Sequence, residues 1–257
     1  MLKYIAMAMA LVAFVTVNAE TVVKPYGFGS VSVPMDGGGE YALRWARVGA
    51  NVNPRPWMRI HTEYDIATSK LSYGYAEVAT DVVGVRGTIA AGQMLSPVGY
   101  LYPGPAILEL TCWPDTLSAY ALRNTGIVVS ASGEEWIVRV SWYAEHQLSA
   151  TATYKKASLF WQKGAGGGAI MQPILIHRYF QPSAGVSVET VETVAFVQNR
   201  ATITPWLKAY VQADYHSAED GVSTLLGLTA TYAPRSFVKL FWDGKEETFK
   251  TEITFAF

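Results

Sequence analysis

Hydrophobic and polar residues alternate with a period of two along most of this chain. In the segment WMRIHTEYD, the polar residues Arg59, His61, Glu63 and Asp65 alternate with a less polar set that begins at Met58. The segments IVRVSWYAE and WLKAYVQADYH repeat the pattern. Successive side chains of a β-strand point to opposite faces, so the pattern predicts strands with one ionic and one apolar face. Alternation alone fits both a soluble sandwich and a membrane barrel.

Three further features favour the membrane barrel. A turn pattern of Pro, an aromatic residue and a basic residue recurs, as in NPRPWMR and TPWLK, and predicts tight turns at one end. Other connections are rich in Gly and acid, as in PMDGGGE and SAEDGVS, and predict looser loops at the opposite end. Aromatic residues cluster near the predicted strand ends and indicate an interfacial girdle: Trp57, Trp206, Tyr215, Tyr232, Phe237 and Trp242. The prediction is an all-β, transmembrane, up-and-down antiparallel β-barrel.

The alternation divides the chain into about 16 strands. We predict them near 22–34, 40–53, 56–66, 70–81, 83–94, 125–132, 135–145, 149–155, 157–163, 169–179, 183–190, 193–204, 206–216, 222–232, 236–243 and 247–257. If segments between 149 and 200 are single strands rather than hairpins, the count falls to about 14 or 12. An even count places both termini on the periplasmic side.

The segment 95–124 interrupts the alternation. It contains four prolines and follows the fifth predicted strand, so we expect a long loop. Long irregular loops are often functional, and one that folds inward would narrow a pore. Its charged residues Glu109, Asp115 and Arg123 are therefore candidate constriction residues.

The first 19 residues have the composition of a secretory signal peptide. Lys3 precedes a short apolar run, and Val17 and Ala19 occupy the small-residue cleavage positions. The alternative, a membrane-anchor helix, needs about 20 apolar residues, and this run is shorter. The prediction is export of a barrel spanning 20–257 to the outer membrane of a Gram-negative bacterium.

Composition agrees with a membrane protein and limits the chemistry. Half of the residues are hydrophobic and only 16% are charged, against about 25% in ordinary soluble domains. The single Cys112 excludes an internal disulfide and a cysteine metal cluster. A net charge of −1 gives no reason to expect nucleic acid as a partner. We predict no cofactor and no metal.

Strand parity selects the residues expected to line the interior. The cationic candidates are Arg44, Arg59, Arg86, Arg139, Lys208, Lys239 and Lys250, with Arg123 at the loop. The acidic candidates on the same faces are Glu63, Asp65, Glu145, Asp214, Asp243 and Glu252. Such a mixed lining suits a general diffusion pore. The alternative is that the charges neutralise one another and only keep the interior wet.

Arg44 and Arg47 have opposite parity, so both cannot point inward from one regular strand. An arginine facing lipid at the bilayer midplane costs about 2 to 4 kcal/mol. We expect Arg44 inside the barrel and Arg47 at a bulge or an interface.

Several segments resemble the phosphate-selective porins of the O and P type. They are VKPYGFGSVSV, LRWARVGANVNPRPWMRIHTEYD, YGYAEVATDVVGVRGTIAAGQMLSPVG and AYALRNTGIVV, which lie between about 25 and 130. The resemblance implies a 16-stranded water-filled channel, an inward loop after the fifth strand that sets the constriction, and passage of small anions. Porins of this style are commonly trimers, so a homotrimer is also implied.

Two other functions stay open. A non-conducting structural or adhesin-type barrel would have an interior filled by side chains, such as Tyr143, Trp206, Phe237 and Phe241. A lipid-modifying enzyme would need a serine or threonine beside His146 or His177 at the outer rim. No nucleophile motif surrounds the histidines, so we predict no catalytic residues.

The last residues, TEITFAF, continue the alternation. Phe249, Thr251, Ile253 and Phe255 share one face with Phe257, and we expect that face to contact lipid. An open strand edge is not tolerated in a bilayer, so this strand should pair with the first, near YGFGSVSV. Phe255 and Phe257 are the candidate recognition signal for the barrel insertion machinery. The expected partners are that machinery, the outer-membrane bilayer with its lipopolysaccharide, and small hydrophilic or anionic solutes.

Overall fold

The computed structural model describes residues 21–34, 42–101, 123–144, 147–189, 192–218, 221–245 and 247–256. These residues form sixteen strands: β1 (Val22–Pro34), β2 (Ala42–Arg55), β3 (Met58–Asp65), β4 (Lys70–Val82), β5 (Val85–Leu95), β6 (Arg123–Ser132), β7 (Trp136–Tyr143), β8 (Gln147–Tyr154), β9 (Ala157–Gln162), β10 (Gly166–Met171), β11 (Gln181–Glu189), β12 (Thr193–Thr204), β13 (Leu207–His216), β14 (Gly221–Ala233), β15 (Ser236–Asp243) and β16 (Thr248–Ala256). The predicted count of 16 is confirmed. The predicted signal peptide lies outside the described residues and stays a prediction.

The strands form one closed barrel in chain order. Each pairs antiparallel with its neighbours in sequence, and β1 pairs with β16 to complete the ring. In that last pairing Phe28 lies opposite Ala256 and Val31 lies opposite Ile253. The predicted closure between the first and last strands is confirmed. Closure satisfies the backbone groups that an edge strand would leave unpaired.

The two ends of the barrel differ in their connections. At the end where β1 starts and β16 ends, tight turns such as 56–57, 83–84 and 205–206 dominate. Val83 and Gly84 both have positive φ, 48° and 77°, as a two-residue hairpin turn that follows the strand twist requires. The opposite end carries the longest connection, 96–122 between β5 and β6. The expected asymmetry of short turns and longer loops is confirmed.

Apolar side chains face outward and polar side chains face inward. On β14, the outward residues Val222, Leu226 and Leu228 are exposed, whereas Thr229 on the other face is buried. On β7, outward Val140 is likewise exposed. An exposed apolar face around a closed ring is the reverse of the arrangement in a soluble protein, in which water meets the polar face.

The prediction of a tenth strand over 169–179 is wrong for its second half. The strand ends at Met171, and residues 172–180 form a connection to β11 that exposes Leu175 and Ile176. Pro173 has no amide hydrogen to donate to a ladder. A single bridge between His177 and Phe180 then closes the connection.

The prediction that Phe237 belongs to an aromatic girdle is also wrong. Phe237 lies opposite Thr254 on the inner face and is buried, because it shares the parity of Lys239. Trp206 and Tyr232 are exposed at the short-turn end, as a girdle requires.

A short 3₁₀ turn, Pro97–Tyr100, follows β5. No helix in the described residues is both long enough and apolar enough to cross a bilayer.

Candidate functional site: the barrel interior

The inward face of β2–β4 carries a network of ion pairs. Arg47 on β2 lies directly opposite Asp65 on β3. Its Nη1 lies 3.2 Å from Oε1 of Glu63, and its Nε lies 3.4 Å from Oδ2 of Asp65. Both carboxylates are buried, and a guanidinium that donates to two of them holds all three side chains against the wall.

This network corrects the expectation for Arg47. The sequence predicted a bulged or interfacial Arg47, but the structure places it on the inner face. The β1–β2 register shifts between Ser30 and Val31, which pair with Trp45 and Leu43, so Arg44 is the extra residue at the bulge. The bulge changes the parity on which the prediction depended. The Arg44 side chain lies outside the described residues.

Arg59 forms a second ion pair two inward rows closer to the short-turn end. Its Nη2 lies 3.0 Å from Oε2 of Glu77 and donates to the Tyr75 hydroxyl at 3.3 Å. The Arg59 side chain is 42% exposed, in contrast to the buried acids that Arg47 contacts. Arg59 is therefore a basic group of this wall that solutes inside the barrel can reach.

Aromatic rings fill the space between these two ion pairs. The His61 ring stacks on Tyr26 at a centroid distance of 5.8 Å and on Tyr75 at 5.1 Å. Tyr26 donates its hydroxyl to Oε2 of Glu63 at 3.0 Å. Gly49 makes room for this ring, because a Cβ there would lie 2.6 Å from the Tyr26 hydroxyl oxygen. The rings are partly exposed and add a polar aromatic surface.

The ionic lining continues across the closure of the barrel. Lys239 on β15 lies opposite Glu252 on β16, with Nζ 3.6 Å from Oε1, and both side chains are buried. Ser30 on β1 donates a hydrogen bond to the same Glu252 oxygen. Lys250 pairs with Asp243 at 3.1 Å nearer the loop end. We call the inward side chains of β15, β16 and β1–β4 the ionic wall.

An apolar cluster occupies the opposite side of the interior. Val98 and Leu101, from the start of the β5–β6 connection, are fully buried. They pack against inward side chains of β9, β10, β12 and β13, which are Phe160, Ile170, Phe196 and Tyr210. We call these six residues the apolar wedge. Because Val98 and Leu101 reach inward residues, the described start of the connection, 96–101, lies inside the barrel.

Two hydrogen bonds fix the backbone of the segment that carries the wedge. The Tyr143 hydroxyl donates to the carbonyl oxygen of Leu95 at 2.9 Å, and Nε2 of Gln172 donates to that of Leu101 at 2.8 Å. Gly185 gives room to the wedge, because a Cβ there would lie 2.4 Å from the Phe196 ring. The wedge is therefore a packed structure and not a loose loop.

Glutamines supply the polar contacts on the wall that bears the wedge. Gln198 donates to Gln212 at 2.8 Å, and Gln212 donates to Oδ2 of Asp214 at 2.7 Å. Arg200 donates through Nε to Oε1 of Gln181 at 2.7 Å. The hydrogen bonds on this wall are therefore made mainly by glutamine amide groups, with few charged side chains.

The structure places the predicted lining residues as follows. Those on the inner face are Arg59, Glu63, Asp65, Arg139, Lys208, Asp214, Lys239, Asp243, Lys250 and Glu252. Arg86 pairs with Asp81 at 3.7 Å beside the tight turn 83–84, so it lies at the rim. Phe255 lies on the outer face, opposite Gly29.

Other predicted residues cannot be placed. Glu109 and Asp115 lie outside the described residues, as do Glu145, His146 and Phe257. Arg123 begins β6, but its side chain is not among those described. The constriction and assembly roles of these residues stay predictions.

Sequence reasoning missed the wedge and Tyr26. Val98 and Leu101 belong to a segment without alternation, and Phe160 and Phe196 resemble lipid-facing aromatics. The alternation in WLKAYVQADYH does place Tyr210 on the polar face, but not in a cluster. The parity of the wedge residues on strands was the available signal, since each shares a face with polar residues such as Ser158 and Gln212.

Chemically, the interior offers charged groups and hydroxyls that can contact solutes by hydrogen bonds and Coulomb attraction. Within the described ranges, no group of three or more His, Cys, Asp and Glu side chains could hold a metal ion. His177 lies at the short-turn end, in the β10–β11 connection.

Comparison with known proteins gives matches at the level of structure. No protein-family description matches the sequence, and no curated protein matches it. A multiple mutant of Rhodopseudomonas blastica porin superposes with a TM-score of 0.62 at 13% identity, and covers 92% of this chain and 100% of its own. A structure described as "Asymmetric conductivity of engineered proteins" gives 0.63 at 14% identity, with 93% and 100% covered. This chain therefore shares its barrel fold with these structures.

Proposed function

We propose that this chain is an outer-membrane porin, a passive water-filled channel for small hydrophilic solutes. The observation that carries the proposal is the closed barrel of sixteen strands with an apolar outer face and a charged inner face. In such a barrel the backbone N–H and C=O groups of every strand are paired within the ring, and the apolar outer face suits contact with lipid. The similarity to structures named as porins supports the same function.

Solutes pass along the ionic wall. The wedge fills the side of the interior at β9–β13, so the path that remains lies beside Arg59, Glu77 and the rings between them. The ionic wall presents charged groups of both signs, which suits small polar solutes of either sign.

The finer proposal is a preference for anions, including phosphate. It rests on the exposure of Arg59, together with the resemblance of the first half of the chain to phosphate-selective porins. Assembly in the outer membrane would use a cleaved signal peptide, the insertion machinery and contacts with lipopolysaccharide, and would produce a homotrimer.

A non-conducting barrel is the second candidate, and the apolar wedge favours it. Phe237, Phe241 and Tyr143 also point inward and are buried, whereas Trp206 is exposed at a turn. If inward side chains fill the whole cross-section of the barrel, no ion path remains.

Conductance of the purified protein in planar bilayers decides between these functions. A porin gives stepwise current increments, and a permanently closed barrel gives none although it inserts. The reversal potential in a gradient of potassium chloride then measures the ion preference. Replacing chloride with phosphate tests the finer proposal, which requires that phosphate carries current or blocks the chloride current.

A further inference from the structure

The outer surface of the barrel has a groove across β7–β12. Its volume is about 830 Å³, within the range of about 300 to 1,000 Å³ that ligand pockets have. Exposed Leu159 and Val197 project from the wall beside it. Its floor consists of outward alanines, which are Ala152, Ala157, Ala169, Ala184 and Ala195. The lining is mainly apolar, so the groove suits a hydrocarbon chain.

Two basic residues lie where the groove reaches the short-turn end. Lys156 belongs to the turn between β8 and β9, and Arg178 to the connection between β10 and β11, and both are exposed. The Lys156 carbonyl oxygen accepts a hydrogen bond from the amide of Gln172 at 2.8 Å. That of Arg178 accepts one from the amide of Thr202 at 2.6 Å. Lys156 thus extends the line of β9 and Arg178 that of β11, about 10 Å apart around the wall.

The acidic residues nearest to this end do not cancel the positive charge. Glu135, in the turn before β7, pairs with Lys155 at 3.3 Å between Oε1 and Nζ. Its Oε2 accepts a hydrogen bond from the Tyr154 hydroxyl at 3.1 Å. Glu134 lies in the same turn, at the edge of the groove away from Arg178. Lys156 and Arg178 therefore outnumber the remaining acid.

Aromatic rings accompany the basic side chains. Nζ of Lys155 lies 5.4 Å from the centre of the Tyr154 ring, and Cζ of Arg178 lies 4.3 Å from that of Tyr179. Trp136 is also exposed at this end. Tyrosine and tryptophan concentrate where the headgroups of a bilayer meet its hydrocarbon. From the rim into the groove, the surface is thus basic, then aromatic, then aliphatic, which is the order of groups that complements a phospholipid.

We propose that the groove binds an anionic phospholipid of the periplasmic leaflet, with its phosphate between Lys156 and Arg178 and its acyl chains along the alanine floor. The inference rests on the proposed outer-membrane location, which puts the short-turn end at that leaflet. A zwitterionic phospholipid also has a phosphate, but the basic residues repel its ammonium group. Each basic residue near a membrane surface favours anionic lipid by a factor of about 5.

Photolabelling in vesicles tests the site. Two phospholipid probes carry the same diazirine in an acyl chain, and they differ only in a phosphatidylglycerol or a phosphatidylcholine headgroup. Each is added as a minor component to phosphatidylcholine vesicles that contain the protein, and mass spectrometry identifies the labelled residues after illumination. The ratio of glycerol-probe to choline-probe labelling should be several-fold higher at Leu159 and Val186 in the groove than at Leu226 and Leu228 on β14. Equal ratios at the two surfaces would overturn the proposal.

Charge variants distinguish a binding site from a diffuse attraction. Lys156→Gln with Arg178→Gln should remove most of the excess labelling by the anionic probe. The matched control, Lys24→Gln with Arg235→Gln, removes the same charge from exposed positions at the same end and should keep the excess. An equal loss in the two double variants would show that the whole rim attracts the lipid, and the site would then be wrong.

A further variant tests the groove with its basic residues intact. Ala169→Leu narrows the groove and should lower the excess labelling, whereas Ala230→Leu on the outer face of β14 should not. Circular dichroism checks that each variant retains the barrel. If both probes label the groove less than β14, protein covers the groove in the membrane, and this result also overturns the proposal.

Single-channel conductance of the same samples keeps the two proposals apart. Current without excess labelling of the groove defeats only the lipid site. Excess labelling without current defeats only the porin function.

Discussion

The ionic wall and the apolar wedge lie on opposite sides of one interior, and different forces hold their side chains in place. Arg47, Glu63 and Asp65 are held by charge-assisted hydrogen bonds between polar groups, which water can also solvate. Phe160, Phe196 and Leu101 are held by exclusion of water and close packing. The ionic wall can therefore line a water-filled path, whereas the apolar wedge is stable only where water is excluded.

The largest expected effect follows from truncation within the wedge. Phe196→Ala removes a buried ring and should lower the free energy of unfolding by about 3–5 kcal/mol. Urea unfolding of the refolded barrel in vesicles measures the loss. Val197→Ala, on the outward face of the same strand, is the matched control and should cost clearly less. Equal losses would mean that the wedge is not packed.

Breaking one partner of the buried ion pair should cost nearly as much. Lys239→Ala leaves the Glu252 carboxylate buried without its cation, and such a change costs about 3–5 kcal/mol. The double variant Lys239→Met with Glu252→Met removes both charges and should recover most of the stability. If the single variant unfolds like the wild type, the pair is hydrated in the protein.

The ionic wall should control ion preference more than stability. Arg59→Ala leaves Glu77 without its cation, so the reversal potential in a salt gradient should shift toward cations, with a permeability ratio changed a few-fold. Arg200→Ala, on the wall that bears the wedge, is the control and should shift it less. A larger shift of the reversal potential in Arg200→Ala than in Arg59→Ala would indicate that the solute path lies beside β12.

Salt should weaken this selectivity. The Debye length falls from about 10 Å at 0.1 M to about 3 Å at 1 M. The difference in permeability ratio between wild type and Arg59→Ala should therefore shrink as the ionic strength rises. A difference independent of salt would indicate a steric effect of the side chain.

Most of the fold could be predicted because alternate residues of a β-strand point to the same face, so the sequence pattern identifies both faces. The period of two identified both faces of β3, β7 and β13, and the requirement that a membrane barrel has no open edge predicted the partner of β16. The prediction was wrong where local chemistry interrupts the ladder. The register shift at Arg44 breaks the parity relation between Arg44 and Arg47, and β10 ends at Met171, two residues before Pro173.

The site was harder to predict than the fold. Inward charges follow from parity, but parity does not say which charges meet. The pairing of Arg47 with Asp65 depends on the β2–β3 register, which the tight turn at 56–57 and the irregularity beside it set. The wedge depends on a long-range return of Leu101 to Phe160 and Phe196, and no short-range pattern encodes such a contact.

The central claim is that solutes pass along the ionic wall and not through the wedge. Block of single-channel current by a charged, water-soluble thiol reagent tests it most directly, in a Cys112→Ser background. With Glu77→Cys on the ionic wall, the reagent should reduce the current of open channels. With Phe160→Cys in the wedge, the current should stay unchanged, because water and reagent do not reach that position. Block at Phe160→Cys with none at Glu77→Cys would contradict the account.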